Sequence, residues 1–224
     1  MFIGHYGASF VAKKLAPKLS LGVYFVAAQV LDVLFSIFVL LGIEKMRLVP
    51  GFTETNNYDL YYMPYTHSLV GAVLWGLVST AIVYAVVRRA PEAIAFGGVV
   101  ISHFLFDIPV HTPDLPLLGN DSTKIGFGLW RHWYEATALE LLFIGVGLAI
   151  YSQQMKPLMD RDEKRRTQVT AFSAVLVLLT IATPFLPQPI SGASFAGQAL
   201  FGYAVLAFVA ARVDRPLSKS KTAP

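Results

Sequence analysis

The chain has 224 residues, of which 55% are apolar and only 14% charged, and its mean hydropathy is +0.56. A soluble domain carries roughly 25% charged residues, so this chain lacks the polar surface to coat a water-facing sphere. Its net charge of +4 does not point to nucleic acid, because the basic residues lie in short inter-helix segments rather than on one face. The absence of cysteine excludes disulfides, thiolate zinc ligands and a cysteine nucleophile.

The predicted elements form an all-α, polytopic membrane helix bundle. It has about six transmembrane helices and a short N-terminal half-membrane helix, each span needing about 20 apolar residues. The short helix, over 5–16, precedes an apolar run over 19–43 that is too long for the h-region of a cleaved signal peptide. Further spans follow at 67–88, 93–110, 133–151, 168–186 and 195–212. Barrel strands are excluded by the lack of alternation. Proline closes the loops at 88–91 and 184–189. Two longer connections, 44–66 and 111–132, hold most of the polar and turn-forming residues.

Lys and Arg divide unevenly between the two ends. Lys13, Lys14, Lys18, Arg88, Arg89, Lys156, Arg161, Lys164, Arg165, Arg166, Arg212, Arg215, Lys219 and Lys221 fall on one side, against Lys45, Arg47, Lys124 and Arg131 on the other. The basic side is expected to be cytoplasmic, with the N-terminal turn and the C-terminus there and both longer connections outside.

Ionisable side chains in hydrocarbon are costly, so each is a functional hypothesis. Asp32, His103 and Glu140 lie about 20 Å from the basic end by helix rise, on three different helices. His5 reaches the same level if the chain turns at Pro17 and Lys18. His103, Asp107 and His111 stand at i, i+4 and i+8 and line one face. His67 opens its span from the outer end and meets the others only if the segment 62–65 dips inward. Gln29 and Ser36 flank Asp32 at helical spacing and suit supporting hydrogen bonds. Glu135 is expected to be an interfacial or substrate-side group and His132 an interface residue, and Tyr58, Tyr61, Tyr62, Tyr65, Trp130, Trp133 and Tyr134 form a girdle at the bilayer surface.

Imidazoles with carboxylates and no thiolate make an oxygen/nitrogen site for a divalent metal, with zinc foremost and manganese or iron as alternatives. Six or seven such groups exceed one tetrahedral shell and fit two ions about 3.5–4 Å apart, the arrangement of two-metal hydrolases. No nucleophile elbow, P-loop or dinucleotide fingerprint is present. The competing expectation is an ion- or proton-coupled transporter with a midplane site. Against it stand the lack of an inverted repeat and the lack of matching polar positions in the final two spans.

Gly4-His5-Tyr6-Gly7, Ala27-Ala28-Gln29 leading to Asp32, and Tyr65-Thr66-His67-Ser68 resemble the YdjM-like family. So do Ser102-His103, Asp107, His111-Thr112-Pro113-Asp114-Leu115-Pro116-Leu117 and Gly128-Leu129-Trp130. That family comprises inner-membrane proteins described as metal-dependent hydrolases and sometimes as LexA-binding. It is distantly similar to the zinc-dependent phospholipase C and P1 nuclease group. The resemblance covers about residues 1–152, leaving 153–224 as two accessory spans and a basic tail of the same bundle. It implies metal ligands at His5, Asp32, His67, His103 and Asp107, with Glu140 as the carboxylate of the fourth span. Val110, where threonine is expected, and Arg131-His132 depart from the pattern and bear on the substrate pocket. The resulting expectation is hydrolysis of a phosphoester or ester, on a lipid or another hydrophobic or phosphate-containing small molecule. His111 and Asp114 would position water or substrate. The site would open to the extracytoplasmic side of the inner membrane, among membrane lipids, with a soluble protein as a further partner.

Overall fold

A computed structural model describes residues 2–214; Arg215, Lys219 and Lys221 of the basic tail lie outside the described residues. The chain is mostly helical. Eight α-helices occur among the described residues: α1 (Tyr6–Leu15), α2 (Leu21–Ala28), α3 (Val30–Leu40), α4 (Leu69–Val87), α5 (Ala90–Val110), α6 (Trp133–Met159), α7 (Glu163–Ala182) and α8 (Gly192–Asp214). Five of them, α4 to α8, are long and apolar enough to cross a membrane, and the pair α2–α3 makes a sixth if counted as one span.

The expected unbroken first span is in fact bent by 51° between α2 and α3. Gln29 is the hinge residue, and neither proline nor glycine marks the position. Its side-chain amide donates to the Phe2 carbonyl at 3.3 Å, and the Ala28 carbonyl lies 2.7 Å from His103 Nδ1. These tertiary partners serve polar groups that would otherwise be left bare in an apolar setting. α6 continues past 151 to Met159. The two long connections are not wholly irregular. Each carries a small antiparallel pair, β1 (Lys45–Leu48) with β2 (Tyr58–Tyr62) and β3 (Leu115–Pro116) with β4 (Lys124–Ile125).

The short helix and the first span form a hairpin. Lys13 Nζ donates to the carbonyls of Pro17 and Leu19 and pairs with Asp214 at 2.7 Å, while Asp214 also accepts from Leu21 N–H. Ser9 and Tyr24 tie the two arms together, Ser9 Oγ donating to the Tyr24 carbonyl and Tyr24 Oη to the Ala16 carbonyl. Small residues let α1 approach α6: a Cβ on Gly7 would strike the Phe143 carbonyl, and one on Gly147 would strike Gly7. α5 lies at the centre, with half of its apolar window buried, against 17% for α4, whose leucines and valines face outward.

Because helix directions alternate, one end of the bundle gathers the α1–α2, α4–α5 and α6–α7 turns and the end of α8. Eleven of the described Lys and Arg residues lie at that end, and four lie at the end carrying the two small sheets.

Candidate metal centre

The central helix supplies the first pieces. α5 starts at Ala90 with Pro91 in its first turn, where a missing N–H does least harm, and ends at Val110, just past Pro109. His103 and Asp107, one turn apart on its buried face, are each 1% exposed. His111 follows at the helix end, its N–H still bonded to the Asp107 carbonyl at 2.9 Å. The α1–α2 hairpin carries His5 onto this face, where its ring stacks on that of His103 at 3.8 Å. Asp32 arrives from the first turn of α3. His67 arrives from the buried stretch Thr66–Ser68 just ahead of α4. His67 thus reaches Asp32, although Tyr65 just ahead of it is exposed.

The donor atoms converge. His67 Nε2 lies 3.3 Å from Asp32 Oδ1, and His103 Nε2 lies 3.5 Å from the same oxygen and 3.1 Å from Asp107 Oδ2. His5 Nε2 lies 3.2 Å from Asp107 Oδ1, and His111 Nε2 is 3.6 Å from that oxygen. Two triads, His5–His103–Asp107 and Asp32–His67–His103, each offer ligand atoms all within 4.8 Å of one another. His103 Nε2 makes no hydrogen bond despite its carboxylate neighbours. Ligands held about 2.0–2.1 Å from one tetrahedral ion stand about 3.3 Å apart, and these separations match that spacing.

The outer ring nitrogens show which way the lone pairs point. His103 Nδ1 lies 2.7 Å from the Ala28 carbonyl, which can only accept. His111 Nδ1 lies 2.9 Å from Asp114 Oδ1, and Thr112 Oγ1 donates to the other oxygen of that carboxylate. In both residues Nδ1 therefore carries a proton, and in the neutral ring Nε2 offers its lone pair inward, as metal-bound imidazoles are ordinarily oriented. Asp32 keeps Oδ1 for the histidines while Oδ2 accepts from Tyr203 Oη at 3.0 Å. Imidazoles and carboxylates whose donor atoms converge in this way are chemically fit to hold a divalent ion.

Not every expected residue falls in this cluster. Glu140 does not join either triad: its carboxylate accepts from Phe2 N–H and Gly4 N–H at 3.1–3.3 Å. These are donors of the N-terminal turn, which otherwise lack helical partners. It still lines the cavity beside the cluster. His111 was expected only to position water or substrate, yet its Nε2 faces Asp107, with Asp114 behind it. Gln29 serves Phe2 rather than Asp32, and Ser36 Oγ is buried without a hydrogen bond. His132 and Glu135 are exposed.

Several participants are not among the expected site residues, although Thr66 belongs to the Tyr65-Thr66-His67-Ser68 motif. Glu44 and Thr66, both buried, stand behind His67. Tyr203 comes from the last helix, within the region expected to be accessory. A cavity of about 360 Å³ adjoins the cluster. Asp32, His67, Asp107 and His111 line it, together with apolar residues that include Phe2, Phe35, Leu60, Leu186 and Phe195. Tyr58, in the connection above, also faces it; burial, and then the charge of Asp32, push its phenol up to about 12. Tyr58 therefore keeps its proton at neutral pH. The cavity is bounded by Thr55 to Leu60 and by Thr183 to Gln188, all at the end of the bundle opposite the basic one.

Compared with protein-family models, with curated proteins and with solved structures, the chain matches none.

Proposed function

We propose that this is a polytopic membrane protein whose His/Asp cluster holds one or two divalent ions, zinc foremost, and that it hydrolyses a phosphoester or ester. The observation that carries this reading is the convergence of four imidazole Nε2 atoms on the buried carboxylate of Asp107 and the half-buried one of Asp32, beside a cavity. Structural sites are usually closed by protein ligands, whereas catalytic ones keep a position open; this cluster lines a cavity rather than a closed core. A bound ion there supplies Lewis acidity to an ester oxygen and acidity to water.

The chain's own residues divide the remaining work. His67, His103 and His111 present Nε2, His5 closes the cluster from the N-terminal turn, and Asp32 and Asp107 supply negative charge. Tyr203 holds Asp32 in place, and Asp114 holds His111. Tyr58 presents a phenolic O–H to the cavity, suited to a substrate oxygen. The apolar lining excludes water and receives the hydrocarbon part of a substrate. The volume suits a small molecule or a head group.

The motifs shared with the YdjM-like family support the same reading, and the charge asymmetry supports an inner-membrane orientation with the basic end cytoplasmic. The test is elemental analysis of detergent-purified full-length protein, before and after titration with zinc. One to two equivalents are expected, with hydrolysis of a model phosphoester or ester abolished by a chelator and restored by metal. Protein that contains no metal and takes none up would sink the hydrolase and favour an ion- or proton-coupled carrier.

A further inference from the structure

His67 lies in the connection ahead of α4, preceding the N-cap Ser68. Something other than helix geometry must fix its ring, and the contacts around Thr66 show what does. Thr66 Oγ1 lies 2.6 Å from Glu44 Oε2 and 2.8 Å from His67 Nδ1. The other Glu44 oxygen, Oε1, accepts from the backbone N–H groups of Tyr65 at 2.8 Å and Thr66 at 3.0 Å. Glu44 is 1% exposed and Thr66 fully buried. A carboxylate can only accept, so the single hydroxyl proton of Thr66 is directed to Glu44. The Thr66 oxygen is then left as an acceptor, and its neighbour His67 Nδ1 must be the donor. In the neutral ring Nε2 then carries no proton, and its lone pair points towards Asp32 Oδ1, 3.3 Å away, where an ion between the two would be bound.

We propose that Glu44 and Thr66 are positioning residues for the metal centre: the carboxylate, acting through the threonine hydroxyl, fixes the tautomer and orientation of His67 and thereby sets the site's affinity for metal. The inference rests on the metal-centre reading for its consequence, but the proton placement stands on the hydrogen bonds alone. Residues that orient a ligand imidazole typically change metal affinity by 10–100-fold when lost. Glu44 adds a second function, since its two backbone contacts pin the segment from which His67 projects.

The decisive substitution is Glu44→Gln, which keeps the size of the side chain. Its amide oxygen can still serve the Tyr65 and Thr66 N–H groups, but its amide nitrogen must donate to Thr66 Oγ1. The threonine proton then turns to His67 Nδ1, and the imidazole proton moves to Nε2, where it blocks metal. Thr66→Ser preserves the relay, and Thr66→Val removes it.

The experiment is ¹⁵N NMR of histidine-labelled, metal-free full-length protein, paired with cobalt(II) titration followed by its visible absorption. The wild type and Thr66→Ser should show the Nδ1–H tautomer at His67 and bind cobalt within about twofold of each other. Glu44→Gln should show the Nε2–H tautomer and bind cobalt at least tenfold more weakly, with unchanged elution on gel filtration. An Nε2–H tautomer in the wild type, or unchanged tautomer and affinity in Glu44→Gln, would overturn the proposal. If the wild type shows Nδ1–H but binds no cobalt, the relay survives and the metal-dependent function fails.

Discussion

Asp107 turns its two carboxylate oxygens to different imidazoles: Oδ2 to His103, and Oδ1 to both His5 and His111. Asp32, by contrast, gives Oδ1 to His67 and His103 and commits Oδ2 to Tyr203. Loss of Asp107, which faces His5, His103 and His111 and lies 3.9 Å from His67, therefore disturbs more of the cluster than loss of Asp32, which faces His67 and His103. Since losing a supporting residue typically costs 10–100-fold in affinity, Asp107→Asn should weaken zinc binding by well over tenfold. Asp32→Asn should spare part of the bound metal, and His132→Ala, an exposed change, should leave all of it. Isothermal titration of the three variants ranks them; equal losses in all three would mean that the cluster is not the binding site. Glu140→Gln belongs elsewhere. Its carboxylate holds Phe2 and Gly4 N–H, so the expected effect is a loosened N-terminal turn and a smaller, indirect loss of metal. Equal zinc losses in Glu140→Gln and Asp107→Asn would restore Glu140 as a ligand.

At the level of the elements, the sequence made the helices legible because they are long and uniformly apolar, and it made the α5 face legible because i, i+4 spacing needs no tertiary knowledge. The hairpin was legible from Pro17 and its lysines. What escaped depends on partners distant in sequence. The break at Gln29 is bridged by Phe2 and His103 rather than marked by proline or glycine. Glu44 lies beyond the first span and resembles any loop carboxylate. Tyr203 sits in one of the two spans that the sequence marks only as accessory. The same dependence governs α1, whose seating on α6 requires the near-contact of Gly7 with Gly147. Gly147→Leu has no room against the Gly7 backbone, so α1 must move away and carry His5 with it. Overpacking of this kind costs about 1–3 kcal/mol. Thermal unfolding in detergent should show that loss together with reduced zinc content. Unchanged zinc in a destabilised variant would show that His5 does not contribute to the site.

For the whole molecule, the two ends of the bundle differ in charge and in purpose. At the basic end, Asp214 accepts from Leu21 N–H and pairs with Lys13, and the buried Arg165 guanidinium donates to the Val213 carbonyl. α1, α2, α7 and α8 are therefore locked together there. The opposite end is held by lighter contacts between the two long connections, such as Thr55 N–H with the Trp130 carbonyl and Trp133 N–H with Glu54, and it borders the cavity. A bundle closed and basic at one end, and lined by a cavity near the other, has a defined direction if it spans a bilayer. Positive charge is retained on the cytoplasmic side, so the cavity should face outward. The lack of cysteine makes this directly measurable with single substitutions at exposed positions of the connecting segments. Asp121→Cys, between the β3 and β4 strands, should react with a membrane-impermeant maleimide in intact cells. Arg161→Cys, between α6 and α7, should react only after the membrane is permeabilised. The reverse pattern would invert the orientation and place the cavity on the cytoplasmic side. Labelling of both sites in intact cells would mean that the bundle does not span the membrane as an intact barrier.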